Sequence, residues 1–260
     1  MSRIPDLRDL DLERDIAAPE TKRRYLRTLF DTIESSYDTF TRRFSFGMDV
    51  RWKRVLVDRV TDTLPRGGMV LDIATGTGDL AVAVMQRKPD ARVLGADLSL
   101  GMLQRARAHP IANTQCDMLR LPYPASTFDC VMAGYGFRNA PDTRQALEEA
   151  LRVLKPGGYM GTLDFYLLPH KAWRAVFLWY LGVAGRISGR LAHGLPQTYG
   201  YIASSLRHWM TAEEFDRTLH EVGFEVERVR QMLRGGIAVH LAKKPRRPPH
   251  WPTAQIGPKM

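Results

Sequence analysis

Val70-Leu71-Asp72-Ile73-Ala74-Thr75-Gly76-Thr77-Gly78-Asp79-Leu80, answered by Gly95-Ala96-Asp97, decides the fold of this chain. An apolar run reaches Asp72, turns through Gly76 and Gly78, and enters the helix-compatible stretch Asp79–Arg87. A second apolar run, Arg92–Ala96, ends in Asp97. This reads as strand, tight glycine turn, helix, and a second strand with a carboxylate at its tip. An acidic residue in that place can take both hydroxyls of a ribose. The glycines suit a turn that a ligand approaches closely, where a Cβ would intrude. The turn is not G-x-G-x-x-G, so a pyrophosphate-binding loop fits poorly. A glycine turn alone fits any α/β crossover; Asp97 makes it specific.

Working outward, strands are expected near 69–74, 92–97, 112–116, 127–133 and 158–164, alternating with helices near 79–88, 99–108 and 142–153. Such alternation implies an α/β fold with a Rossmann-like, doubly wound sheet and ligands at the carboxyl ends of its strands. Lys155-Pro156-Gly157-Gly158 reads as a turn into the next strand. Thr211–Val222 reads as a capped helix, with Glu213 and Glu214 in its first turn. Phe224–Val229 and Ile237–Ala242 then close the sheet as an antiparallel pair, which makes seven strands. Upstream, Thr21–Leu64 shows helical spacing (Leu26, Leu29, Phe30, Ile33; then Trp52, Val55, Leu56, Val60) and stops at Leu64-Pro65-Arg66-Gly67-Gly68.

At 260 residues and 44% hydrophobic content, the chain can bury one substantial core. Domain boundaries follow: a flexible arm over 1–20, the catalytic domain over 21–242 with a helical lid insertion at 166–210, and a basic, Pro-rich disordered tail over 243–260. Residues 1–20 hold Asp6, Asp9, Asp11, Glu13 and Asp15 and no apolar core of a signal peptide, so a cytoplasmic protein is expected. Cys116 and Cys130 read as buried free thiols. No metal-ligand spacing appears among the His and Cys residues. The net charge of +10 suits an anionic partner, lipid or nucleic acid, or reflects an arginine-rich lineage.

The loop D-x-A-x-G-x-G looks like the nucleoside loop of S-adenosylmethionine-dependent methyltransferases, with Ala74 in place of the usual first glycine. That donor would be held by Asp72, Gly76, Thr77 and Gly78, with Asp97 on the ribose. Asp117 offers an acceptor for the adenine amine and Met118 an apolar wall. Gly134 and Gly136 would let backbone carbonyls face the methionyl end.

A narrower resemblance follows. Phe128-Asp129, Gly136-Phe137-Arg138-Asn139, Asp142 and Leu151-Arg152-Val153-Leu154-Lys155-Pro156-Gly157-Gly158 closely resemble the ubiquinone/menaquinone biosynthesis C-methyltransferases (UbiE-type). Phe30, Tyr37-Asp38, Ser45-Phe46-Gly47 and Trp52-Lys53 look like the same family's N-terminal segment. The resemblance runs from about Phe30 to Ala242. It implies donor contacts at Thr77, Asp97, Asp117, Met118 and Gly134, and sets Tyr199, Tyr201 and Ser205 over the acceptor pocket. Two departures stand out: His193-Gly194-Leu195-Pro196-Gln197, where the family is polar and acidic, and Gly101, where it carries a polar residue.

The chemistry so implied is methylation of a ring carbon of a prenylated quinol in ubiquinone or menaquinone biosynthesis. An aromatic carbon is a poor nucleophile until a neighbouring hydroxyl ionises. Arg138, with Asn139 beside it, suits stabilisation of the phenolate, since it stays cationic and has several donors; a structural ion pair is its competing role. The base could be a water held by Arg138, or Asp164, or His193. The apolar stretch Ala175–Ala184, flanked by Lys171, Arg174, Arg186 and Arg190, could lie on an anionic membrane surface and admit a lipid tail. That places the protein peripherally at the inner face of the membrane; packing in the lid or at a dimer interface is the alternative. Other readings are methylation of another lipid-like or phenolic acceptor, such as a phospholipid headgroup, or a silent scaffold in a quinone-biosynthesis complex. RNA is disfavoured, because no N-P-P-Y-like tetrapeptide or aromatic RNA-binding pattern occurs.

Overall fold

The computed structural model describes residues 6–16 and 18–246. A 3-10 turn (Leu7–Asp9) and α1 (Leu12–Asp15) lead into α2 (Pro19–Ile33), α3 (Tyr37–Phe44) and α4 (Met48–Thr63). The sheet domain follows as β1 (Met69–Ile73), α5 (Asp79–Arg87), β2 (Arg92–Asp97), α6 (Leu100–Ala106), β3 (Ala112–Gln115), β4 (Phe128–Gly134), α7 (Thr143–Val153) and β5 (Leu154–Phe165). Then come α8 (Lys171–His193), α9 (Gln197–Arg207), α10 (Ala212–Val222), β6 (Glu225–Met232) and β7 (Ile237–Lys243).

The seven strands lie in the order β3-β2-β1-β4-β5-β7-β6. β1 pairs in parallel with both β2 and β4, so the order reverses there and a crevice opens beyond the carboxyl ends of the strands. β7 runs antiparallel between β5 and β6, as the closing pair required. Strands buried on both faces explain the near-continuous apolar runs: Val70, Leu71, Ile73, Cys130, Val131 and Met132 are all buried. Neither cysteine is paired; Cys130 is buried and Cys116 half-buried. The α10 cap is a reciprocal one, Thr211 Oγ1 accepting from Glu214 N while Glu214 accepts from Thr211 N.

Three local expectations need correction. The Lys155–Gly158 turn is absorbed into β5 as an irregularity, with Gly157 at φ +82°, because its backbone pairs with Lys244: Gly157 N donates to the Lys244 carbonyl and Lys244 N to the Gly158 carbonyl, both at 2.8 Å. Part of the stretch read as a flexible arm is anchored: Leu7 is 1% exposed in a cluster with Tyr25, Leu26 and Leu29. Burying that leucine contributes about 2 kcal/mol, enough to hold a short acidic segment down. Glu13 adds a bond from Ser204 on α9 (2.8 Å). At the other end β7 continues through Lys243, and Lys244 Nζ donates to the carbonyls of Leu151 and Leu154 (2.7 Å each). The basic tail from 247 onward lies outside the described residues.

The lid insertion is a helical hairpin. Gly182, Gly185 and Gly189 form one face of α8, against which the backbone of α9 packs. An ideal Cβ on Gly185 would stand 2.5 Å from the Tyr199 carbonyl oxygen, so the approach depends on a residue with no side chain. The opposite face of α8 carries Trp173, Val176, Trp179, Ile187 and Leu191 into solvent. The helix that carries the apolar stretch Ala175–Ala184 is therefore two-faced, glycine inward and apolar outward.

Candidate active site

The glycine turn after β1 stands over the crevice with Ala74, Gly76 and Gly78 all at positive φ. Gly76 N donates to Asp97 Oδ2 and Ser99 N to Asp97 Oδ1, both at 2.8 Å. Asp97 thus ties the turn to the end of β2, and burial pushes its carboxyl up to about 6 against those donors. A Cβ on Gly76 would meet no protein atom within 4 Å; it would stand in the open cleft. Gly134 and Gly136 also line the cleft, but their small size serves packing. A Cβ there would press on Leu80 (2.5 Å) and Ala74 (2.9 Å).

The cleft encloses about 930 Å³, counting space open to solvent. Of the expected donor contacts, Gly76, Thr77, Asp97, Asp117, Met118 and Gly134 line it. Asp72 and Gly78 do not. Asp72 is fully buried beneath the turn, accepting from Thr75 Oγ1 (2.8 Å), and desolvation lifts its carboxyl to about 8. It supports the turn from below. Gly78 backs onto Ile111 and Ala106. A carboxylate at a strand end, a backbone cradle and an apolar slot with Met118 and Leu98 fit the ribose and adenine of S-adenosylmethionine.

Helices α2 and α3 roof this cleft through polar contacts at each strand end. Lys22 Nζ donates to the carbonyls of Ala140 (2.8 Å) and Arg138 (3.3 Å), and burial with the nearby Arg138 charge draws it down to about 8. Arg23 pairs with Asp117 at 2.7 Å. Asp31 accepts from Ser99 Oγ (2.5 Å) and from Gly101 N (3.1 Å). A Cβ on Gly101 would lie 3.3 Å from Asp31 Cα, so this glycine lets α2 come close. Thr77 Oγ1 donates to Asp38 (3.0 Å). At the far end of the cleft Lys53 bonds Asp79 (2.5 Å) with Asp49 3.5 Å away, which sets a cation in the cleft wall.

A second chamber of about 580 Å³ adjoins the first, sharing Phe30, Tyr37, Tyr135 and Asn139 as a common wall. It is strongly aromatic, with Phe40, Phe44, Trp52, Phe165, Tyr199 and Tyr201 among its lining residues. Arg138 enters it nearly buried. Its backbone N–H donates to Asp164 Oδ2 (3.1 Å), its Nε lies 3.5 Å from Asp164 Oδ1 and its Nη1 donates to Ser205. The Nε approach suffices for an ion pair and is poorly directed for a hydrogen bond. Asn139 Nδ2 donates to the Tyr135 carbonyl (3.0 Å) and its Oδ1 accepts from Tyr201 Oη (2.9 Å), which locks the amide. Of the other expected catalytic residues, Tyr199 lines the chamber whereas Asp164 and His193 do not. Asp164 sits behind Arg138, with Phe165 N on Oδ1 (2.8 Å), so both its oxygens serve to hold the arginine.

The ubiE/COQ5 methyltransferase family model matches residues 18–244. The chain belongs to this family. It is an S-adenosylmethionine-dependent methyltransferase. The chain is 36% identical over 223 residues to a demethylmenaquinone methyltransferase of Thermus thermophilus, covering 84% of this chain and 100% of that one. It is 32% identical over 233 residues to the ubiquinone/menaquinone biosynthesis C-methyltransferase UbiE of Methylococcus capsulatus, covering 86% and 93%. Among solved structures, a SAM-dependent methyltransferase of Thermotoga maritima superposes with a TM-score of 0.60 at 19% identity, covering 83% of this chain and 98% of that one. The last likeness concerns the fold alone.

Within this ubiE/COQ5 member, some site residues escaped the sequence reading. Nothing local in the sequence marks Lys22 and Arg23 as roof fasteners. Lys53 and Tyr37 were visible only as parts of a motif, without a role. Ser36 carried no signal at all.

Proposed function

We propose that this ubiE/COQ5 methyltransferase moves a methyl group from S-adenosylmethionine to a ring carbon of a prenylated quinol in ubiquinone or menaquinone biosynthesis. The observation that carries the reading is the shared wall. A cleft with a ribose-type carboxylate, Asp97, meets an aromatic chamber entered by one buried arginine, across Tyr37, Tyr135 and Asn139. The relatives named above are methyltransferases of demethylmenaquinone and of ubiquinone/menaquinone biosynthesis, which agrees.

Bound in the cleft, the donor supplies an electrophilic methyl on a sulfonium. The chain's own residues do the rest. Arg138 stabilises negative charge on an acceptor hydroxyl, and it is effective because Asp164 and Ser205 hold it in a fixed pose beside a largely aromatic space. Asn139, locked between Tyr135 and Tyr201, orients the ring at the wall between donor and acceptor. The aromatic lining excludes water and accepts a flat ring.

The acceptor's lipid tail implies peripheral contact with a membrane, at its inner face for a cytoplasmic protein. No helix among the described residues is long and apolar enough to cross one. The outward face of α8, Trp173, Val176, Trp179, Ile187 and Leu191, supports an interfacial pose, with Lys171, Arg186 and Arg190 available to anionic headgroups. The deciding experiment supplies S-adenosylmethionine labelled in its methyl group to the purified protein with extracted, reduced quinones. Label on a ring carbon of the quinol is expected. Label on an oxygen or nitrogen, or on a phospholipid headgroup only, overturns the reading.

A further inference from the structure

Three polar side chains from three separate elements meet just outside the acceptor chamber. Ser36 stands between α2 and α3, His193 ends α8, and Tyr199 lies in the first turns of α9. Ser36 Oγ is 2.7 Å from His193 Nε2 and 2.7 Å from Tyr199 Oη, while His193 Nε2 and Tyr199 Oη are 3.4 Å apart. The serine also has the Ile33 carbonyl at 3.2 Å, the longest of its contacts. The Phe40 ring stacks on the Tyr199 ring at 3.4 Å between centroids and 7° between planes, so the phenol cannot swing away. Tyr199 lines the chamber; Ser36 and His193 do not. The trio therefore leads from the acceptor space to a half-exposed imidazole.

We propose that Tyr199, Ser36 and His193 form a proton relay that removes the hydroxyl proton of the acceptor ring. This rests on the phenolic acceptor proposed above. A hydroxyl can accept one proton as it gives up its own. The acceptor hydroxyl gives its proton to Tyr199 Oη as Tyr199 passes its own to Ser36 and Ser36 passes its own to His193 Nε2. The acceptor is left as a phenolate beside Arg138 and His193 as an imidazolium. As the ring carbon takes the methyl, the carbon–sulfur bond breaks and a carbon–carbon bond forms. The resulting dienone returns to the quinol by moving its ring proton to oxygen, with no net proton change. The single proton released overall is the one on His193, which solvent takes.

The neighbouring carboxylates are already engaged. Asp164 has both oxygens on backbone N–H groups and Arg138. Asp49 lines the chamber, but its oxygens are met by Ser45 (2.9 Å) and Lys53 (3.5 Å). Burial also draws the His193 imidazole below its usual range, which favours its neutral form. The relay accounts for the His193 segment, where this chain departs from the pattern that it otherwise resembles.

The test compares the parent with His193→Ala, Ser36→Ala and Tyr199→Phe, and with Asp49→Asn, which removes the chamber's own competing carboxylate base. A chromophoric phenol is bound with no methyl donor present, and its phenolate absorbance is followed against pH. The parent should ionise the bound phenol at a pH at least one unit lower than the three relay variants do. With donor and a reduced quinol, each relay variant should lose about 100-fold in kcat with KM within about threefold, in the range of lost general-base catalysis. Added imidazole should restore part of the His193→Ala loss. A nitro-substituted phenol, already ionised in solution, should show the three variants and the parent alike in kcat. Ionisation unchanged in all three relay variants, or a loss seen only in Asp49→Asn, overturns the relay and leaves the acceptor class standing. A parent that binds no phenol sinks both. Tyr199→Phe keeps the ring that Phe40 stacks on, so the relay is tested even if His193→Ala folds poorly.

Discussion

Arg23, on the roof helix α2, holds Asp117 at 2.7 Å, and Asp117, just beyond β3, lines the cleft proposed for the methyl donor. Closure of the roof and the lining of the proposed donor cleft therefore meet at one carboxylate. The pair is partly exposed, so its own contribution to stability is small, about 0–1 kcal/mol. Arg23→Ala should leave the unfolding free energy within about 1 kcal/mol of the parent and speed the release of S-adenosylmethionine several-fold. Stopped-flow displacement measures the rate. An unchanged rate would remove the roof from control of donor exchange.

Asp97 should make donor affinity depend on pH. Burial pushes its carboxyl up to about 6, above its ordinary 3.8. The ionised form is the one that can take two ribose hydroxyls, so affinity is full above 6 and falls as pH drops through it. By pH 5 a weakening of about tenfold is expected, following one unit of linkage. For folding the same shift has the opposite sense: stability declines as pH climbs from about 4 to about 6. Asp97→Asn should abolish this pH dependence and lower affinity at least tenfold at pH 7, read by calorimetry. Charge-assisted bonds contribute about 1.5–3 kcal/mol each.

Arg138→Lys keeps the charge and loses the planar fork that reaches Asp164 and Ser205 together. Turnover should fall at least tenfold, while donor affinity stays within about threefold, because the side chain faces the acceptor chamber. Methylation at the parental rate would end its role on the phenolate.

Gly185→Ala tests the α8–α9 contact. The added methyl would press on the Tyr199 carbonyl at 2.5 Å, and that backbone carries a chamber residue. Overpacking costs about 1–3 kcal/mol and outweighs the gain of about 1 kcal/mol from replacing a helical glycine. A lower melting midpoint and reduced turnover are expected, with donor binding intact. A stabilised, fully active protein would mean that the hairpin adjusts without strain.

Phe177 and Trp179, two residues apart on α8, should answer differently. Trp179 is 67% exposed, whereas Phe177 packs on the core beside Gly236. Trp179→Ser should weaken binding to anionic liposomes and raise the Michaelis constant for a long-tailed quinol, with the melting midpoint unchanged. Phe177→Ser should lower the midpoint and harm short- and long-tailed acceptors alike. If the parent does not bind such liposomes at low salt, the membrane contact is wrong.

The sheet core and its glycine turn were legible because their signals are local. A strand, a turn and a carboxylate at the next strand tip lie within 28 residues, and alternation of apolar runs carries the parallel topology with it. The Arg138-Asn139 pair was legible as a motif for the same reason. What sequence could not decide is which surface each long-range partner meets. Asp72 and Gly78 belong to the same motif as Gly76, yet only the packed turn sends one beneath the floor and one against α6. Ser36 and Tyr199 are separated by 163 positions and meet at 2.7 Å because α8, α9 and the α2–α3 corner pack together. No periodicity encodes such a meeting. Hydrogen bonds between distant residues depend on how helices dock, and docking is set by the summed burial of many side chains, not by the pair that ends up in contact.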